Sequence, residues 1–84
     1  MVCRKGQSLP RLKRNRYVHD YRIFVERLRA ARLDAGLTQK EVAKRLHLRQ
    51  PEISKCESGE RRVDVIELRD FARVYGKKIT DFLP

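Results

Sequence analysis

Long apolar runs are missing from this 84-residue chain, and no stretch approaches the roughly 20 residues a membrane span needs. The N-terminus carries charges with no apolar segment after them, which argues against a secretory signal. Cysteine is scarce: Cys3 and Cys56 are the only two, far apart and without a C-x-x-C pair. A disulfide scaffold or zinc ribbon is therefore disfavoured, and a reducing cytoplasm is the expected setting. Catalytic signatures are missing too. No nucleophile–base pair, glycine-rich phosphate loop or metal-ligand cluster stands out, so no enzyme activity, metal or cofactor is expected. Only six aromatic residues are present, several of them needed for a core, which disfavours the stacking platforms of RNA readers.

What is abundant is positive charge. Lysine and arginine number 21 against 11 acids, for a formal net charge of +10. Residues 1–20 hold six of the basic residues (Arg4, Lys5, Arg11, Lys13, Arg14, Arg16) and one acid, Asp20. Such an excess favours a polyanion as partner, and nucleic acid is the commonest one in the cytoplasm. Charge alone does not separate DNA from RNA, from anionic lipid, or from a solvated surface with no partner. The apolar share of 40% is enough for one compact core, and the length suits one small domain.

The chain divides into a basic arm at 1–16, expected to be mobile when free, and a folded domain at 17–84. Asp20 is a candidate cap for a first helix from Tyr21 to Ala35, stopped by Gly36. Phe24, Leu28 and Leu33, with Val25 and Ala31, form its apolar stripe. Thr38 with Glu41 makes a capping box for a second helix, whose inner face is Val42, Ala43 and Leu46. His47-Leu48-Arg49 is the turn, and Gln50 to Ser58 is a third helix closed by Gly59. Asp64 with Glu67 repeats the box and opens a fourth helix with a stripe of Val65, Leu68, Phe71, Ala72 and Tyr75, ended by Gly76. Ile79, Phe82 and Leu83 are left for a short final turn that closes the core. No segment alternates with period two, so the chain is all-α, and it contains no internal repeat.

Two helices joined by three residues cross steeply, and a small side chain is needed where they touch. Ala43 occupies that place. Ile53 and Cys56, three apart on the third helix, can bury together against Leu46 and Leu48. Gln50, Pro51, Glu52, Ser54, Lys55 and Ser58 are left to share the outer surface, which in isolation could be an ordinary solvated face.

Thr38-Gln39-x-Glu41-Val42-Ala43, then Leu46-x-Leu48, then Gln50-x-x-Ile53-Ser54-x-x-Glu57-x-Gly59-x-Arg61 resembles the phage-repressor (Cro-type, XRE-like) helix-turn-helix family. The match extends from Leu28-Arg29-x-x-Arg32 to Ile79-Thr80-x-Phe82-Leu83, about residues 21–84. The resemblance implies a lambda-repressor-like bundle of five short helices, with helices 2 and 3 forming the helix-turn-helix. It implies a cytoplasmic, nucleoid-associated protein of a prokaryote or phage that binds double-stranded DNA. Gln39 matches a position that bonds a phosphate and braces the reading helix. Gln50, Pro51 and Lys55 match positions facing base edges, with Arg49 just before them, and Glu52 could accept from cytosine. Ser58, Arg61 and Arg62 match positions near the DNA backbone. Arg32 and Glu57 match a charged pair tying the first helix to the end of the third.

Three departures from the family pattern matter. His47 stands where glycine is usual, at a left-handed turn position that costs another residue on the order of 1 kcal/mol. No second ligand stands near it, so a metal role is disfavoured. Arg49 replaces the usual serine or threonine cap, at a cost of about 1 kcal/mol, and gains reach toward phosphate or guanine. Pro51 offers no side-chain hydrogen bond and can contribute only contact with a thymine methyl.

The function expected is a sequence-specific transcriptional regulator, a repressor, acting as a homodimer on a pseudo-palindromic site. Phe82 and Leu83, or Tyr17, Val18 and Ile23, are candidate pairing surfaces. The alternative is an antitoxin that binds a toxin protein and represses their shared operon through the same domain. Cys56 reads as a core residue, Cys3 as an incidental thiol, and His19 as a bland residue at a helix start.

Overall fold

A computed structural model describes the backbone of residues 10–84 and side chains from Arg16 onward. Four α-helices follow one another: α1 (Pro10–Asp34), α2 (Gln39–Leu46), α3 (Gln50–Ser58) and α4 (Val65–Tyr75). The fifth element is a single 3-10 turn at Ile79–Phe82, not an α-helix. No strand occurs among the described residues. Cys3 and the first nine residues of the expected arm lie outside them.

The first helix is the largest departure from expectation. It begins at Pro10, so Asp20 and His19 lie in its interior rather than at its start. No proline or glycine interrupts the chain from there to Gly36. Tyr17 and Tyr21, one turn apart, stack with ring centroids 5.7 Å apart. The Val63 N–H donates to Tyr21 Oη at 3.0 Å, which anchors this part of α1 to the α3–α4 loop. Part of the expected arm is therefore continuous with the domain.

The core is one cluster in which Leu28, Val42, Ile53, Cys56, Phe71 and Phe82 are fully buried. Phe24, Leu28 and Ala31 of the expected α1 stripe are buried, whereas Leu33 is 57% exposed. Nine residues after Phe24, Leu33 falls half a turn away from it at 100° per residue. Val65 is also exposed, because it opens α4 and extends beyond the packed layer. Phe82 closes the core by meeting Phe24 edge-on with centroids 6.5 Å apart. Its neighbours Ile79 and Leu83 remain exposed. Both capping boxes form as expected, at Thr38/Glu41 and Asp64/Glu67.

Tyr75 is buried, and among the described residues its hydroxyl has no hydrogen-bond partner. Burial pushes its ionisation far up. Removing an unsatisfied hydroxyl relieves a desolvation penalty, so Tyr75→Phe should leave stability unchanged or raise it by up to about 1 kcal/mol. Urea unfolding of both proteins tests this; a clear loss of stability would show a partner for the hydroxyl.

Candidate nucleic-acid interface

The helix-turn-helix is built from local chemistry. Thr38 Oγ1 accepts from the Glu41 N–H at 3.1 Å, and Glu41 accepts in return from the Thr38 N–H at 2.8 Å. The bond from the Thr38 N–H, and after it the Thr38 side chain, hold the Glu41 carboxyl below the usual carboxylate range. At the other end of α2, His47 is left-handed (φ 58°, ψ 37°), and it is the only non-glycine residue with positive φ among those described. That geometry lets the Leu48 N–H reach Ala43 O at 2.9 Å and turns the chain into α3. His47→Gly should therefore raise stability by about 0.5–1 kcal/mol. A fall in thermal midpoint would contradict the strain assigned to this turn.

On α3, Ile53, Cys56 and Glu57 face inward while Gln50, Pro51, Lys55 and Ser58 are exposed. Burial pushes the Cys56 thiol up, which leaves it unreactive. A hydrogen-bonded chain links the outer face to the core. Arg32 grips Glu57 through two bonds, Nε to Oε2 at 2.6 Å and Nη2 to Oε1 at 3.2 Å. Its Nη1 donates to Leu37 O at 2.8 Å. Glu57 Oε1 also accepts from Gln39 Nε2 at 3.0 Å, and Gln39 Oε1 accepts from Gln50 Nε2 at 2.6 Å. The exposed Gln50 is thus oriented by a relay that starts in a buried ion pair. It keeps a carbonyl oxygen and one N–H outside that relay, a donor and an acceptor side by side.

Not every candidate side chain is free. Glu52 is half-buried and accepts from the Arg49 N–H at 2.8 Å, so it caps its own helix. That bond supplies a cap from the third helical residue, where the Arg49 side chain supplies none. The Arg49 side chain itself is 84% exposed. Arg61 is turned inward: it pairs with Glu67 at 2.7 Å and donates to Cys56 Sγ at 3.2 Å. Those partners, Glu67 first, raise its already high pKa. It fastens the α3–α4 loop to α4. Arg62 is exposed and lies over two rings, 4.8 Å from the Tyr17 centroid and 4.7 Å from that of Tyr21.

A helix-turn-helix family model matches residues 28–82. A solved structure, an XRE-family like protein from Pseudomonas syringae pv. tomato str. DC3000, is 39% identical with a TM-score of 0.79. The similarity covers 84% of this chain and 87% of that one. The chain belongs to the XRE family of helix-turn-helix proteins. No curated protein matches it. Membership places the chain among DNA-binding transcription regulators, with double-stranded DNA as partner.

Within this XRE-family domain, sequence reasoning missed the role of Tyr17 and Tyr21. The signal was present as two tyrosines at helical spacing, but a helix start at Tyr21 separates them. Burial pushes the Tyr21 phenol up, against the Val63 hydrogen bond and the Arg62 charge. A tyrosine in this setting stays a neutral, stacked platform.

Proposed function

We propose that the protein is a sequence-specific regulator, acting as a repressor, that binds duplex DNA as a homodimer and reads the major groove with α3. The observation that carries this reading is the relay from Arg32 through Glu57 and Gln39 to Gln50. It holds an exposed amide rigidly at the start of a helix whose outer face is polar. A bidentate amide suits adenine N6 and N7, and Lys55, five residues further along α3, suits guanine O6 and N7. Arg49 supplies reach at the same end, and Pro51 offers methyl contact only. In this reading Gln39, Ser58 and Arg62 are the phosphate contacts on either side. Glu52 and Arg61 serve the helix ends and the loop.

One such helix spans few base pairs, so a second copy on a two-fold site is needed for useful affinity. Of the apolar candidates for pairing, Phe82 is buried, whereas Tyr17, Val18 and Leu83 are exposed. Selection of the full chain on a random duplex library, with its mass measured in solution, tests the reading. The expected result is a pseudo-palindromic consensus with half-sites roughly 34–36 Å apart and a mass of two chains. A monomer that enriches no sequence would overturn it.

A further inference from the structure

Beside the C-terminal end of α3 lies an open groove of about 240 Å³ between α1 and the α3–α4 loop. Its wall includes Arg22 and Arg62, the tyrosines Tyr17 and Tyr21, and Ser58, and it carries no carboxylate. Arg62 is packed over both rings and donates Nη1 to Tyr17 Oη at 2.6 Å. A guanidinium packed this way loses little rotamer freedom when it binds, and its remaining N–H groups stay available. Arg22, on α1, is exposed, and none of the described ion pairs uses it. The groove also continues the reading face, since Ser58 follows Lys55 by three residues and is exposed like it. Two cations and no acid, set next to an outward-facing polar helix, suit a phosphodiester rather than a base.

We propose that Arg22 and Arg62 form a clamp on the DNA backbone alongside α3, with Tyr17 and Tyr21 as positioning residues for Arg62. The clamp rests on the DNA-binding reading above and adds a direct DNA contact from α1, which in that reading only braces α3 through Arg32. It extends the footprint past the end of the reading helix. Because it grips phosphate, its contribution is the same on every sequence.

The test measures affinity of the full chain for a selected duplex and for a scrambled one across a salt series. Arg22→Gln should weaken both by a similar factor, about fivefold, and flatten the slope of log affinity against log salt by about 0.9. Tyr17→Leu should weaken both about threefold and keep the slope, because Arg62 retains its charge while losing its platform. Tyr17→Phe, which keeps the ring, should recover most of that loss. Equal affinity and slope for wild type and Arg22→Gln, or an unchanged Tyr17→Leu, overturns the clamp while DNA binding stands. Loss confined to the selected duplex overturns it as well. A wild-type chain that binds neither duplex overturns the DNA-binding reading itself.

Discussion

Arg32→Ala should lower the stability of the domain by about 3–5 kcal/mol, the largest single effect expected outside the apolar core. Arg32 and Glu57 are both 8% exposed, and Arg32 supplies two of the three hydrogen bonds that Glu57 receives from side chains. Removing Arg32 leaves a carboxylate in a nearly dry site with only Gln39 beside it. The loss exceeds what the pair itself contributes, because an unpaired buried charge carries its whole desolvation penalty. Small domains are stable by only about 5–15 kcal/mol, so much of the margin disappears. Urea unfolding monitored by helical circular dichroism measures the effect. A loss below about 1 kcal/mol would place the pair with weak surface bridges instead. The variant should also bind DNA less selectively than its folded fraction predicts, since the relay to Gln50 loses its anchor.

Gln50→Ala should cost about 1–3 kcal/mol at one base step and leave folding unchanged, and Lys55→Ala should do the same at a neighbouring step. Both side chains are exposed and neither fills the core. Competition between single-base variants of the selected duplex reads the effect directly. The two variants should lose discrimination at different positions. Gln39→Ala should show a mixed result: a uniform loss from a missing phosphate contact, and a further loss at the Gln50 step because that side chain loses its tether. Equal loss on every duplex for Gln50→Ala and Lys55→Ala would remove α3 as the reader of bases.

The elements that were legible in the sequence are those set by nearest neighbours. Thr38 with Glu41 and Asp64 with Glu67 announce helix starts because both partners of each box lie within four residues. His47 was legible as a left-handed turn through family resemblance, since glycine is usual at that position. The Arg32–Glu57 pair was legible through family resemblance, since no local rule joins residues 25 positions apart. The start of α1 was not legible. A capping residue marks a start only if the chain before it is not already helical, and Asp20 follows ten helical residues. The extension is held by contacts from Tyr17 and Tyr21 to Arg62 and Val63, more than 40 positions away.

The same distinction governs the interface. By itself the sequence determined an all-α fold, the helix-turn-helix, the inward turn of Ile53 and Cys56, and a basic, polar surface for a polyanion. Helical periodicity and cap chemistry are local, and charge is additive. Only the tertiary structure decided which polar side chains remain available. Arg61 matches a position near the DNA backbone and Glu52 could accept from cytosine, yet one pairs with Glu67 and the other caps α3. Gln50 is held by Gln39, and Arg62 by two rings of α1. A side chain's freedom depends on partners brought close by folding, and spacing along the chain carries no record of them.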